Sequence, residues 1–246
     1  MIGADSLHST VRRLAFGGQG RFERHLGYMA AAFAVYGYRP RDEGAYVAYS
    51  APGKQIARFA VEDDATVIFA VFAANGLGTA DLSDPTIQRE LLHHQFDREG
   101  WECSTMLNLL DQSEDLYFDR VSQIRMERWS SGRIALVGDA AYAPSLLAGQ
   151  GAALAMTGAY VLARELDVFG REYEAAFSRY EDWMRPLVER KQRAGETLAG
   201  AFVPRTRFGI FLRNRASKVL SIPWLAGLVL GPVLRDQLRS PGLYSP

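Results

Sequence analysis

Short apolar runs alternate with turn-forming stretches through the first third of the chain. The runs span residues 27–38, 45–62 and 65–74 and are rich in aromatic and β-branched residues. Residues such as Gly, Pro and Asp separate them, and an Ala-Pro-Gly-Lys turn interrupts the second run. Such runs are typical of antiparallel strands joined by tight turns. The pattern therefore predicts one antiparallel meander in this part of the chain.

A helical periodicity follows the strand-like runs. Asp84 suits the capping position of a helix, and Pro85 suits its first position. Gly100 is the expected end of this helix. Residues 103–119 predict a second, short helix that runs into a strand. The predicted buried stripe of the first helix consists of Ile87, Leu91, Leu92 and Phe96.

Residues 132–166 combine a strand, an acidic residue, a glycine-containing loop and a helix. The apolar run at residues 134–137 is typical of a strand buried on both faces. Asp139 follows it, at the strand end where α/β folds bind ligands. Gly149 and Gly151 let a backbone approach a ligand closely, and the helix beginning at Gly151 offers free N–H groups. The arrangement predicts a site for a polar cofactor, although Asp139 is equally suited to cap a helix.

The composition narrows the possible functions. The chain has 246 residues, of which 48% are hydrophobic and 23% charged, and its formal net charge is zero, so no charge excess indicates a nucleic-acid partner. Cys103 is the single cysteine, which excludes an intramolecular disulfide and a CxxC metal site. Adjacent residues point in different directions, so His93 and His94 predict no metal site. No basic stretch followed by an apolar run opens the sequence, and the expected location is the cytoplasm.

The C-terminal tail is basic and apolar. Residues 200–246 hold seven basic residues and one acidic residue, Asp236. The longest uncharged run, residues 219–234, contains 16 residues and two prolines. A membrane-spanning helix needs about 20 apolar residues, so no such helix is predicted here. We expect a pair of helices packed on the body of the protein; the alternative is peripheral contact with an anionic membrane surface.

Two motifs resemble those of a known enzyme family. The stretch "GRIALVGDAAYAPSLLAGQGAALA" resembles the GD motif of FAD-dependent monooxygenases of the p-hydroxybenzoate hydroxylase type, and "GADSLHSTVRR" is similar to their DG motif. The lead-in at residues 117–133 resembles the branch that acts on aromatic and polyketide-like substrates. The GD motif parts are Gly138, Asp139, Ala140, Ala141, Pro144, Gly149 and Gly151. The DG motif matches at Gly3, Ala4, Asp5, Ser9, Val11 and Arg12, and departs at Ser6, where the family has Gly.

The resemblance covers nearly all of the chain and implies its fold class. We expect an α/β (α+β) fold: the C-terminal portion of the family's FAD-binding fold, with an antiparallel substrate-domain sheet and C-terminal helices. The family carries a βαβ unit with Gly-x-Gly-x-x-Gly before the DG motif, and this sequence shows no such fingerprint. We therefore expect the chain to lack the N-terminal dinucleotide-binding unit and to bind FAD weakly or not at all by itself. The expected segments are a DG-motif remnant of the FAD-binding domain (1–20), the substrate sheet (21–120), the GD-motif strand and helix (121–168) and C-terminal helices (169–246).

The resemblance also implies roles for individual residues. Asp139 would accept a hydrogen bond from a ribityl hydroxyl of FAD, with Gly138, Ala140 and Gln150 beside it. Pro144 would shape the wall near the reactive flavin face. The two loop glycines, Gly149 and Gly151, would lie beside the pyrimidine edge of the flavin. Asp5 and Arg12 would lie near the pyrophosphate of FAD or NAD(P)H. No catalytic residue is predicted.

The family reaction implies the partners. It is hydroxylation of an electron-rich aromatic ring with FAD as cofactor, NAD(P)H as reductant and O₂ as co-substrate. The aromatic residues of the sheet are expected to be mostly core, although some would line a flat substrate pocket. A missing N-terminal fragment would be required in cis or in trans. Two alternatives remain: a non-catalytic remnant that acts as an interaction module, and a flavin-dependent reductase of related fold.

Overall fold

The computed structural model describes residues 1–39, 44–61, 64–75 and 82–220, with backbone only for 218–220. Two sheets and a set of helices make up this part of the chain. In chain order the elements are β1 (Ile2–Gly3), α1 (Thr10–Ala15), β2 (Glu23–Tyr36), β3 (Val47–Ala51), β4 (Lys54–Ala60), β5 (Ala65–Ala73), α2 (Pro85–Phe96), α3 (Cys103–Gln112), β6 (Tyr117–Ile124), β7 (Ser130–Ser131), β8 (Ile134–Leu136), α4 (Asp139–Tyr142), α5 (Gly151–Phe169), α6 (Tyr173–Phe202) and α7 (Arg207–Leu220).

The larger sheet is antiparallel, with strand order β3-β4-β5-β2-β6. The predicted strands are present, but the predicted simple meander is wrong, because β2 pairs with β5 and β6 rather than with β3. Residues 28–31 of β2 are all buried. A strand that is apolar on both faces needs neighbours and cover on all sides, which an edge position would not provide. The turn at Gly53 (φ 75°) joins β3 to β4, as the sequence predicts.

Helices α2 and α3 cover one face of this sheet. The Asp84 carboxylate accepts a hydrogen bond from the Thr86 N–H at 2.8 Å and Pro85 opens α2, which confirms the predicted start. Leu92 and Phe96 are buried, whereas Ile87 and Leu91 are only half-buried. The helix ends at Phe96 rather than at the predicted Gly100. Beyond Phe96 the next three residues are not buried, so the chain leaves the sheet there.

The smaller sheet has the order β1-β8-β7, with β1 parallel to β8. Residues 2–3 form a strand of this sheet, and residues 134–136 form the predicted strand before the GD motif. Gly3 lies close to two neighbours: an added Cβ would sit 2.6 Å from Leu136 Cδ2 and 2.8 Å from Val11 Cγ1. A glycine at this position therefore lets α1 and β8 pack against the strand.

Helix α6 has 30 residues and connects the two sheets. Its first half packs on α5 and contributes Tyr180 to a buried aromatic cluster with Trp129 and Tyr142. Its far end places Ala199 and nearby Val203 against the second face of the larger sheet. The architecture of two sheets and C-terminal helices confirms the predicted fold class, while the segment boundaries at residues 20, 120 and 168 stay a prediction.

Arg213 of α7 contacts the larger sheet and the end of α6. Arg213 donates to Gln55 Oε1, to the Phe202 carbonyl and to Ser50 Oγ, each at 2.9 Å. The predicted apolar tail at residues 219–234 lies almost entirely outside the described residues, as do the second tail helix and the membrane contact proposed for it. Among the described helices none is long and apolar enough to cross a membrane.

Candidate flavin site

A cavity of about 410 Å³ opens where the two motifs meet the edge strand β6. We call it the motif cavity, and we call residues 143–149 the Pro–Gly loop. The cavity lies between the turn after β1, the start of β6 and the chain that leads into α5. Its lining residues are Ser6, Leu7, His8, Tyr117, Asp119, Arg120, Ser122, Asp139, Ala143, Pro144, Ser145, Leu146, Gly149, Gly151 and Ala152. The fold therefore brings the predicted DG and GD motifs together around one space.

Asp139 supplies an unused acceptor in the motif cavity. It is half-buried at the start of α4, and its carboxylate accepts no hydrogen bond from any residue that the structure describes. Burial raises the pKa of Asp139. A side chain at Gly151 would bring its Cβ to 3.5 Å from Asp139 Oδ1, so the carboxylate sits beside the first turn of α5. A half-buried carboxylate with free lone pairs suits a ligand that donates hydroxyl hydrogens.

Backbone geometry explains why glycines flank this acid. Gly138 has φ 67° and ψ −144°, a conformation that is essentially restricted to glycine, and an added Cβ would lie 3.1 Å from Ala155 Cβ. Gly149 is left-handed, with φ 62°. The side chain of Gln150 forms no capping hydrogen bond, so the first N–H groups of α5 have no intrahelical or cap acceptor. These groups favour negative charge at the cavity wall.

The first motif is held together by its own capping bonds. Ser9 Oγ donates to Asp5 Oδ1 at 2.6 Å, and the Val11 N–H donates to Asp5 Oδ2 at 3.0 Å. Burial raises the pKa of Asp5, but these hydrogen bonds outweigh it and lower the pKa overall. Ser6 adopts φ 69°, the left-handed region that favours the glycine of the family motif. Ser6 therefore holds backbone angles that a glycine adopts more readily than a serine.

Arg12 joins the two motifs from the inside. Its side chain is fully buried; Nη1 donates to the Ala140 carbonyl at 2.8 Å, and Nη2 donates to the Leu7 carbonyl at 2.6 Å. The Nε atom is buried without a hydrogen-bond partner among the described residues. Burial lowers the pKa of Arg12. A structural link between the two motifs was not predicted from the sequence, and contact of Arg12 with a pyrophosphate remains a proposal.

Three cavity residues were missed by sequence reasoning. His8 Nε2 and Asp119 Oδ2 lie 2.7 Å apart and form an ion pair when His8 is protonated, and Gln19 Nε2 lies 2.7 Å from His8 Nδ1. Burial lowers the pKa of His8, but the hydrogen bond and charge of Asp119 raise it more. Burial and the nearby carboxylates of Asp119 and Asp139 raise the pKa of Tyr117 to about 12. Tyr117 and Asp119 are two positions apart on β6, a spacing that places them on one face and that was available from the sequence.

The other predicted features lie away from the motif cavity. His93 pairs with Asp111 at 2.9 Å, and the described residues contain no group of three or more His, Cys, Asp or Glu side chains arranged to hold a metal ion. Cys103 is buried in α3. Among the sheet aromatics named as core or pocket, Tyr28, Phe33 and Phe72 are buried, Tyr49, Phe59 and Phe69 are half-buried, and Tyr36 and Tyr46 are exposed.

Sequence comparison connects this geometry to a family. Residues 1–193 match the FAD binding domain family. The chain belongs to this family. A flavin-dependent monooxygenase from an unknown prokaryotic organism is 35% identical over 204 residues, which cover 82% of this chain and 52% of the relative. A flavin-dependent monooxygenase of Legionella longbeachae serogroup 1 (strain NSW150) is 33% identical over 224 residues. The alignment covers 90% of this chain and 57% of the relative.

Solved structures show the same fold. The tetracycline destructase Tet(55) superposes with a TM-score of 0.76 at 33% identity, over 87% of this chain and 57% of that protein. Klebsiella pneumoniae HpxO in complex with FAD and uric acid gives a TM-score of 0.64 at 25% identity, over 87% of this chain and 55% of that protein. This FAD-binding domain chain therefore spans about half the length of the proteins that it matches.

The residues present fit the flavin end of FAD. The motif cavity offers an unpaired carboxylate at Asp139 for the sugar hydroxyls, and glycine backbone at 149 and 151 for close approach. The N-terminus of α5 adds a partial positive charge. FAD is the cofactor of the family, and the donors and acceptors that this cavity presents are those that a flavin and its ribityl chain require.

Proposed function

We propose that this chain forms the flavin-side half of an FAD-dependent monooxygenase that inserts one oxygen atom of O₂ into a small aromatic or polyketide-like molecule, with NAD(P)H as reductant. The observation that carries the proposal is the motif cavity, where the unpaired Asp139 carboxylate lies beside the free N–H groups of α5. Membership of the FAD binding domain family supports the same cofactor. The proposed location is the cytoplasm.

Bound FAD would supply the electron transfer and the oxygen activation that protein side chains lack. The chain's own residues would bind and orient it. Asp139 would accept hydrogen bonds from ribityl hydroxyls, and Gly138 and Ala140 would let this part of the backbone approach the cofactor. The first turn of α5, with Gln150 and Gly151, would stabilise negative charge at the pyrimidine edge of the flavin. Pro144 would form part of the wall that excludes water.

The proposed substrate is a flat, electron-rich ring system. Tet(55), which shares 33% identity, is named as a tetracycline destructase, and HpxO was solved with uric acid. Both names support planar ring compounds as the first panel to test. Tyr117 and Arg120 of β6 both line the motif cavity and offer it an aromatic ring and a cation. We propose that these two residues meet the substrate.

The proposed enzyme also needs a dinucleotide-binding unit that contacts the FAD pyrophosphate, supplied in cis or in trans. Asp5 and Arg12 are the residues of this chain proposed to lie nearest to that end. Such a division of labour agrees with the lengths of the matched monooxygenases, of which this chain covers about half.

A chimera tests the proposed function. The segment of the Legionella longbeachae relative that precedes its match to this chain would be fused ahead of the 246 residues. With FAD, NAD(P)H and ¹⁸O₂, a substrate panel of phenols, tetracyclines and purines is expected to yield a product that carries one ¹⁸O atom. A panel compound that is reduced at the expense of NAD(P)H and carries no ¹⁸O would instead indicate a reductase, whereas H₂O₂ as the only product would contradict oxygen insertion.

Matched variants connect that activity to the cavity. Asp139→Asn is expected to lower FAD affinity about 10- to 100-fold, the effect of losing hydrogen bonds to a charged acceptor. Asp167→Asn is the control, because Asp167 is an exposed acid in the last turn of α5, at the opposite end of the helix from the motif cavity. If both variants bind FAD like the unaltered chimera, Asp139 does not hold the cofactor.

A further inference from the structure

A buried glutamine on β6 holds the Pro–Gly loop from behind. Gln123 has no exposed surface, and its Nε2 donates to the Pro144 carbonyl at 3.0 Å and to the Gln192 carbonyl at 2.7 Å. Its Oε1 accepts from Arg125 at 3.0 and 2.9 Å. Arg125 in turn bonds Glu196 of α6 at 2.9 Å. The side-chain amide of Gln123 thus ties the loop to α6 rather than to the cavity.

A second buried glutamine reaches the same region from α6. Gln192 is 4% exposed, and its Nε2 donates to the Ile124 carbonyl at 2.8 Å. The same atom lies 3.4 Å from the carbonyl oxygens of Tyr142 and Ala143, where the Pro–Gly loop begins. Buried amides that are satisfied by backbone carbonyls fix the backbone that they contact, since leaving those groups unpaired would be costly.

One turn farther along α6, a glycine sets the distance between helix and loop. A Cβ atom added at Gly195 would lie 2.6 Å from the Pro144 carbonyl oxygen and 3.3 Å from Gln123 Nε2. The obstacle at 2.6 Å is backbone, which cannot rotate away as the end of a flexible side chain would. Any larger residue would therefore push α6 and the Pro–Gly loop apart.

The loop itself needs such support. Ser145 is buried and adopts φ 101°, a region that residues with a side chain rarely occupy. A conformation of this kind persists only when the surroundings hold it. The carbonyl on one side of Ser145, that of Pro144, is held by Gln123 and lies against Gly195 of α6.

We propose that Gln123, Gln192 and Gly195 are positioning residues that set the shape of the cofactor-binding Pro–Gly loop. FAD affinity then depends on how closely α6 packs against this loop. The role rests on the proposed function of the motif cavity, because none of the three residues lines it. Farther along α6, Ala199 packs against the larger sheet near Tyr28. The same helix therefore also couples the position of this loop to that sheet.

Two glycine variants of one helix test the proposal. Gly195→Ala introduces the clash, whereas Gly200→Ala is the control, because an added Cβ at Gly200 meets no atom within 4 Å. Both changes replace a glycine of α6 by alanine, which raises helix propensity, so weaker loop protection in Gly195→Ala alone reports the loop contact. Hydrogen–deuterium exchange of residues 143–149 in the cofactor-free chain reads the loop directly. FAD titration measures the affinity of the motif cavity for the cofactor, and the visible spectrum of the bound flavin reports its surroundings.

The expected result is faster exchange at residues 143–149 and FAD affinity about tenfold or more weaker in Gly195→Ala, with an altered flavin spectrum, and neither change in Gly200→Ala. Unchanged exchange in Gly195→Ala would overturn the proposal, and so would faster exchange with unaltered FAD affinity and spectrum. If the unaltered chain binds no FAD, the proposed cofactor role of the cavity fails. The exchange comparison then still decides whether α6 positions the loop.

A second pair of variants covers the case in which Gly195→Ala does not fold. Gln192→Leu removes the amide from the loop carbonyls. Gln88→Leu removes a comparable bond, from Gln88 Nε2 to the Leu82 carbonyl at 2.7 Å, far from the motif cavity. Equal effects of the two changes on loop exchange and on FAD affinity would contradict the positioning role.

Discussion

Replacing Arg12 by Met removes the link between the two motifs. The side chain is fully buried and donates to the Ala140 and Leu7 carbonyls at 2.8 and 2.6 Å. A hydrogen bond to a charged group contributes about 1.5–3 kcal/mol, so two such bonds contribute roughly 3–6 kcal/mol. The Arg12 guanidinium is a buried charge with an unpaired Nε, so its removal also relieves a desolvation cost and recovers part of that free energy. We expect Arg12→Met to lower the free energy of unfolding by about 3 kcal/mol.

Urea unfolding followed by circular dichroism measures this change. In a chain of this size 1 kcal/mol corresponds to about 2–4 °C, so the midpoint of thermal unfolding should fall by about 6–12 °C. Arg12→Lys should lose most of the same stability, because an ammonium lacks the planar fork that reaches both carbonyls. Arg13→Met, at the exposed neighbouring position, should change the unfolding free energy by less than about 0.5 kcal/mol. A loss below about 1 kcal/mol for Arg12→Met, with strongly weakened FAD binding, would refute the structural role and favour a phosphate contact alone.

Three further predictions concern the cavity. Burial raises the pKa of Asp139, so the ionised carboxylate destabilises the fold at pH 7. Asp139→Asn should therefore raise the free energy of unfolding at pH 7. Urea unfolding repeated at about pH 3, where the carboxyl is protonated in both the folded and the unfolded chain, should show no such gain. Gly138→Ala should cost about 2–3 kcal/mol, against about 1 kcal/mol for Gly149→Ala, where the added Cβ meets nothing; equal losses would contradict the strain argument. The pKa of His8, measured by NMR, should lie above that of an ordinary histidine and fall in Asp119→Asn. Because the raised pKa stabilises the fold only while His8 is protonated, that contribution should be complete below the ordinary histidine pKa of about 6.5 and lost as the pH rises through the raised pKa of His8. Asp119→Asn should not show this loss.

Local signals in the sequence were enough for most elements. Asp84 followed by Pro85 is a strong helix start, and the structure shows it. The strand at residues 134–136 and the helix from Gly151 follow from an apolar run and a change of periodicity. These features depend on neighbouring residues alone, which is why sequence patterns predict them.

Long-range pairing was harder to predict. The place of β2 between β5 and β6 depends on contacts with residues that are 29 to 101 positions away, and hydrophobic periodicity does not encode which strand becomes the neighbour. The same limit hid the link from Arg12 to Ala140, which are 128 positions apart, and the pairing of His8 with Asp119. The motif resemblance placed Asp139 and the loop glycines in one site, whereas Gln192 in α6 carried no local signal at all.

The most direct test of the account is a flavin titration of the purified 246-residue chain. We expect weak but saturable binding of FAD, followed by flavin fluorescence and visible absorption. FMN, which lacks the adenylate half, should bind about as well, because this chain is proposed to surround the flavin end. Asp139→Asn should weaken both about 10- to 100-fold, while Asp167→Asn should not. No saturable binding by a chain that circular dichroism shows to be folded, or equal binding by Asp139→Asn, would contradict the account.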